Sequence, residues 1–230
     1  MPAPFAEFTG RMLLSDKFLF VHIDKSAGSS IQRGLEPLAF LRTDNRLRRR
    51  LVWLGPLNRL GLYRVMEFPE HVTAPVVKSC LPPAFYSKLF KFAFVRNPWD
   101  RLVSRYAQLL RTEKSPRYQA KAEKGFEEFL QWEIQRNKSH QHPYVCDAAG
   151  RMVVDFIGYF ERLEEDFKKV CDRLQVTASL PKANTSKHSD YQSYYTPATR
   201  QMVADHCRRD IELFGYVFDG IASPRQVARA

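Results

Sequence analysis

Apolar and polar positions along this chain fall into a recurring pattern. A short apolar run rich in aromatic and β-branched residues is followed by a polar loop, then by apolar residues at helical spacing. The first such unit begins at residues 17–23, where FLFVHI predicts a buried strand. The small polar loop DKSAGSS follows, and IQRGLEPLAFL after it has helical spacing. A second unit occupies residues 91–106: KFAFV is a strand, Asn97 an N-cap and Pro98 the first helical residue. Asp100 then falls in the first turn, where the helix dipole favours negative charge. Leu102, Val103, Tyr106, Leu109 and Leu110 form its apolar stripe. A third unit begins at Met152, with VVDFIGYF as strand and ERLEEDFKKVCDRL as helix. Leu163, Phe167, Val170, Cys171 and Leu174 lie on that helix's apolar side. Further helices are predicted over residues 125–135 and from Pro197 to Phe214.

Strands alternating with helices predict an α/β fold with a mostly parallel central sheet covered on both faces. No internal repeat or Gly/Ser linker interrupts the 230 residues, so one domain is expected over 1–230, with its core at about 17–218 and a frayed tail at 219–230.

Charge narrows the class of partner. Lys plus Arg number 36 against 25 Asp plus Glu, a net +11, so an anionic partner is expected. A local excess sits at Arg42 to Arg50, where five of nine residues are arginine. Its plainest reading is a solvated basic face; the sharper one is a wall for an anionic acceptor. Cys80, Cys146, Cys171 and Cys207 are widely spaced with no CxxC pair, so no zinc or redox motif is indicated. No run of 18 apolar residues occurs and the start lacks a signal-peptide pattern, so a soluble cytoplasmic protein with no membrane span is expected.

Two loops carry chemistry. Lys25 lies among small residues between the first strand and its helix, where backbone N–H groups and the helix N-terminus favour a phosphate or sulfate. Ser29 and Ser30 add hydroxyl donors, while the Walker pattern GxxxxGK[ST] is absent. Arg96 ends the second strand, at the carboxyl edge where open α/β sheets bind ligands. Ser104 follows on the helix, and an arginine fork with a hydroxyl suits a terminal phosphate. Taken alone, Arg96 paired with Asp100 and a solvent-facing Ser104 is the simpler reading.

Together the loops resemble a known family. FVHIDKSAGSSI is similar to the 5′-phosphosulfate loop of sulfotransferases that use 3′-phosphoadenosine-5′-phosphosulfate (PAPS), in their carbohydrate-type branch. FKFAFVRNPWDRLVSRY resembles that family's 3′-phosphate motif, with Arg96 and Ser104 eight positions apart. The likeness continues through VVDFIGYFERLEEDF, PKANTSKHSDYQSYYT and DIELFGYVF, from about Phe18 to Phe218. Asp24 and Ser26 depart from the proline and threonine usual there.

The resemblance implies a three-layer fold like P-loop nucleotide kinases. It implies transfer of a sulfuryl group from PAPS to a hydroxyl of a carbohydrate or other small, possibly acidic, acceptor. Lys25, with Ser26, Ala27, Gly28, Ser29 and Ser30, would bind the phosphosulfate, and Arg96 and Ser104 the 3′-phosphate. Asn184 and Ser186, with Lys187, would touch the cofactor from a closing loop. No metal and no nucleic acid are expected. At 230 residues there is no room for the anchor and stem of Golgi relatives, which implies a soluble, bacterial-type enzyme.

The general base is expected to be a histidine. His71, in the context His71-Val-Thr-Ala74, matches an acceptor-side position of the family. His22 reads as a core histidine, Glu161 is a second base candidate, and His140 and His142 have metal-compatible spacing without an obvious third ligand. Tyr191, Tyr194 and Tyr195 read by default as an aromatic cluster, with packing against adenine or acceptor as the sharper reading. Two other classes compete: a kinase or NTPase on a related fold, and a polyanion-binding protein without activity.

Overall fold

A computed structural model describes residues 12–39, 68–111, 123–181 and 190–222. The described residues fall into two compact units. The first holds those up to Phe94 and those of 143–182, the second those of 95–142 and 183–226.

The first unit is built on a four-stranded sheet ordered β1 (Leu13–Leu14), β2 (Phe18–Val21), β3 (Phe90–Val95) and β4 (Phe156–Tyr159). β2 and β3 are parallel neighbours, with Phe18 opposite Phe90 and Val21 opposite Ala93. The expected mostly parallel sheet is a mixed one: three strands are parallel, and β1 turns back antiparallel onto β2. Ser15 makes that reversal, its Oγ accepting from the N–H groups of Lys17 and Phe18 at 3.0 Å.

Alternation along the strands sorts their side chains by face. Phe18 and Phe20 of β2 join Phe92 and Phe94 of β3 in one buried cluster. Onto it pack Ile31 and Leu35 of α1 (Gly28–Leu35) and Phe167, Val170, Cys171 and Leu174 of α2 (Leu163–Leu174). The residues between, Leu19, Val21 and Ala93, are equally buried, as strands covered on both faces require. Lys91 locks the neighbouring register. Its N–H donates to Asp155 Oδ2 at 2.7 Å, its Nζ lies 2.9 Å from the same oxygen, and Asp155 N–H returns to Lys91 O at 2.7 Å. Two short helices, Ala74–Cys80 and Pro83–Lys88, precede β3.

The second unit is helical. It contains α3 (Pro98–Arg111), α4 (Phe126–Arg136), α5 (Pro197–His206), α6 (Arg208–Phe214) and the hairpin of β5 (Tyr216–Val217) with β6 (Gly220–Ile221). Asn97 caps α3 as its sequence predicts: Oδ1 accepts from Trp99 N–H at 3.1 Å, and Nδ2 donates to Val217 O at 2.9 Å. Trp99, Leu102, Phe129, Leu130, Val203, Cys207 and Phe218 form the core. The single helix expected from Pro197 to Phe214 is broken at Cys207. The four cysteines are buried thiols outside any disulfide. β6 (Gly220–Ile221) falls within the segment expected as a tail, and 223–230 lie outside the described residues. The arginine run at 42–50 also lies outside them.

Gly158 of β4 tests the packing between β4 and β3. A Cβ there would sit 2.5 Å from Phe94 Cε1, well inside contact distance. Gly158→Ala is expected to destabilise the protein by about 1–3 kcal/mol in urea unfolding, with little change in the slope against denaturant.

Candidate active site

The loop after β2 holds an unusual backbone. Lys25 and Ala27 both take left-handed conformations, at φ 65° and 62°, although neither is glycine. Such residues cost on the order of 1–3 kcal/mol each and persist where the surroundings impose them. Ala27 is the N-cap of α1, and its carbonyl accepts from Ser30 N–H at 3.0 Å and Ile31 N–H at 3.2 Å. The first-turn N–H groups of Gly28 and Ser29 precede any helical carbonyl that could take them, and α1 carries no acid in its first turn. The helix end is therefore suited to an anion. Ser26 is buried, Ser29 is exposed, and Lys25 and Ser30 are half-buried.

His22 sets this loop in place. The ring is 4% exposed, and its Nε2 lies where a side chain on Gly28 would begin: a Cβ at Gly28 would sit 1.8 Å from it. Nδ1 lies 2.9 Å from Glu70 Oε1, and the ring stacks on Phe20 at 5.9 Å. The expected core histidine is thus a wedge between Glu70 and the start of α1.

His71 adjoins it, with ring centroids 4.7 Å apart. Its Nδ1 donates to the carbonyl of His22 at 3.2 Å, so the neutral ring carries its lone pair on Nε2. Nε2 lies 4.0 Å from Glu70 Oε2. Burial and the charge of His22 hold the His71 pKa below the ordinary histidine value. For Glu70, burial pushes upward, but the hydrogen bond and charge of His22 and the charge of His71 outweigh it, and the carboxyl stays below its usual range. A neutral, half-exposed imidazole with an oriented lone pair is what a general base requires. Asp24, the departure from the family pattern, adds its negative charge to this pair and opposes both downward shifts.

Arg96 lies in the second unit and is buried at 3% exposure. Its Nε and Nη2 donate to the two oxygens of Asp100 at 2.7 and 2.9 Å. The expected Arg96–Asp100 pair exists, but Ser104 is buried and not solvent-facing. Gln141 grips the Arg96 backbone from both sides: Arg96 N–H donates to Oε1 at 3.0 Å, and Nε2 donates to Arg96 O at 2.8 Å. Asp210, fully buried, in turn accepts from Gln141 N–H at 2.7 Å and His142 N–H at 2.9 Å. The Nε/Nη2 edge of the guanidinium is thereby committed to Asp100, which holds the side chain in one orientation.

Other candidates separate. Asn184, Ser186, Lys187 and His188 lie outside the described residues. Glu161 is exposed in the turn Phe160–Arg162 before α2. Tyr191 and Tyr195 belong to the core of the second unit: their hydroxyls donate to Phe218 O and, at 2.9 Å, to Trp99 O. Glu70, Gln141 and Asp210 are absent from the sequence reading. Only Glu70 had a local signal, its adjacency to His71; the other two act across 45 and 69 residues.

Comparison with known proteins bears on these sites. A model of the sulfotransferase family matches residues 11–217. Carbohydrate sulfotransferase 14 of Mus musculus is 26% identical over 227 residues, covering 85% of this chain. The match takes in 53% of the mouse protein, so this chain spans about half of that relative's length. An uncharacterized protein of Archaeoglobus fulgidus is 32% identical over 102 residues, 44% of this chain and 80% of its own length. Among the described residues no helix is long and apolar enough to cross a membrane.

Two measurements check the geometry around His22. His71 is expected to titrate below the ordinary histidine value in a proton–carbon NMR pH series. Its folded state favours the neutral ring, so this contribution to stability is present above the ordinary histidine pKa and lost as pH falls from there through the lowered folded value. Gly28→Ala is expected to move the His22 ring and raise the His71 pKa toward its ordinary value; an unchanged His71 titration would contradict the wedge.

Proposed function

Because the chain belongs to the sulfotransferase family, we propose that it transfers a sulfuryl group from PAPS to a hydroxyl group, with a carbohydrate as the favoured acceptor class. The observation that carries this reading is the joining of an anion loop, Asp24–Ser30, to an oriented neutral histidine through one buried ring, His22. The name of the mouse relative supports the acceptor class.

In this reading Lys25, Ser26, the backbone of Ala27 and Gly28, Ser29 and Ser30 hold the 5′-phosphosulfate. The fit rests on the left-handed turns, the small side chains and the acid-free start of α1. Arg96 and Ser104 hold the 3′-phosphate, and Asp100 and Gln141 position the Arg96 fork. Asn184 and Ser186 contribute from their later segment.

The chemistry then balances simply. The acceptor hydroxyl gives its proton to His71 Nε2 as its oxygen bonds to sulfur. The bond between sulfur and the bridging oxygen breaks, and 3′-phosphoadenosine 5′-phosphate leaves with the electron pair. Lys25 stabilises the charge that develops on that bridging oxygen. Glu70 positions the two histidines and balances charge on His71 once the proton arrives.

Turnover of PAPS with a panel of hydroxylated mono- and oligosaccharides separates these roles. Lys25→Ala is expected to lower kcat by about 10²–10³ with KM for the donor little changed. Arg96→Ala is expected to act chiefly through KM for the donor. His71→Ala should abolish the acid limb of the pH–rate profile, which in the parent protein lies below the ordinary histidine pKa. A Lys25→Ala protein as fast as the parent would contradict the assignment.

A further inference from the structure

Three of the six histidines gather in the second unit, away from His22 and His71 in the chain. The rings of His140 and His206 are 4.4 Å apart and those of His140 and His142 5.4 Å apart. His142 lies two residues after His140, and the third ligand that this spacing lacked in the sequence is Asp210, 68 residues beyond His142. One ligand atom from each of His140, His142 and Asp210 lies within 4.8 Å of the others. His140, His206 and Cys207 form a second such triad that shares His140.

The hydrogen bonds show which nitrogens carry lone pairs. His140 Nε2 donates to Asn137 Oδ1 at 2.7 Å, so its Nδ1 is the lone-pair nitrogen. That Nδ1 is buried and has no hydrogen-bond partner among the described residues. A buried acceptor left in this state costs about 1–3 kcal/mol unless something fills the role of donor. His142 Nδ1 lies 2.7 Å from Asp210 Oδ1, the carboxylate–histidine arrangement that orients imidazoles toward a metal or brings both groups onto one. A structural Asp–His pair would account for Asp210, but not for the unpartnered nitrogen of His140.

We propose that His140, His142 and Asp210 bind a divalent first-row transition ion of the zinc type, with His206 adjoining as a further ligand. Two imidazoles and a carboxylate are the donors such borderline ions prefer over calcium or magnesium. Metal–ligand bonds of about 2.0–2.2 Å put neighbouring ligands about 3 Å apart, so movements of about an ångström close the triad. The role that follows is structural. The ion ties residues 140–142 to α6, and the Gln141 between the two histidines is the residue that grips Arg96.

The test uses the full chain without a histidine tag, stripped with a chelator and titrated with Co²⁺ alone. A single saturable equivalent is expected, read from visible d–d absorption and displaced by Zn²⁺, with a rise in Tm. His140→Ala and His142→Ala should each weaken Co²⁺ binding by at least about tenfold. His71→Ala should leave the titration unchanged, which excludes the His22–His71 pair as the site. Far-UV circular dichroism checks each variant's fold, and His140→Gln gives the same readout if an alanine variant fails to fold. Absence of saturable Co²⁺ binding overturns the proposal, as does binding that survives in folded His140 and His142 variants. No nucleotide enters the experiment, so its outcome is independent of the proposed sulfuryl transfer.

Discussion

The contact between the His22 ring and the backbone of Gly28 is the constraint from which the first unit's chemistry follows. No side chain fits between them, because a Cβ at Gly28 would overlap the imidazole. The ring therefore approaches the start of α1 directly, and the turn Asp24–Ala27 must close in little space. Within that turn two non-glycine residues, Lys25 and Ala27, take left-handed conformations. The same ring faces Glu70 and stacks edge-on with His71. The end of one strand thereby couples the shape of the Asp24–Ala27 turn to the surroundings of the His71 ring.

The second unit holds its proposed anion ligand, Arg96, by a different device. Arg96 is buried, and a buried guanidinium must be paired and satisfied. Asp100 supplies the charge one helical turn later, while the amide of Gln141 hydrogen-bonds the Arg96 backbone as a neighbouring strand would. Gln141 is held by Asp210, so a buried carboxylate fixes an arginine it need not touch. Preorganised donors of this kind contribute more to binding a charged group than mobile surface lysines, because no reorganisation remains to be done.

How much of this was legible in the chain depended on range. β2, β3 and the Asn97 cap of α3 rest on local periodicity and capping chemistry, and they stand where the pattern places them. The apolar side of α2 was legible for the same reason. β1 was not, because two residues carry no period, and with it the antiparallel turn of the sheet was missed. The helix from Pro197 ran on through Cys207 in the sequence reading, since helical spacing continues across the break. Lys25, Gly28, Arg96 and Ser104 were named from two motifs. Glu70, Gln141 and Asp210 were not, because each acts on a residue far off in sequence or reached only through the fold. Ser104 was read alone as solvent-facing, yet burial in α3 is decided by the packing of that helix, which no local pattern records.

The proposal at the centre of the account is that this chain binds a nucleotide bearing two separate anionic groups. Calorimetric comparison of 3′-phosphoadenosine 5′-phosphate with adenosine 5′-monophosphate tests it without knowledge of the acceptor. The account predicts that the 3′-phosphate tightens binding by at least about tenfold, or about 1.4 kcal/mol, and that Arg96→Ala removes most of that difference. Equal affinity for the two nucleotides, or no binding of either at millimolar concentration, would contradict it.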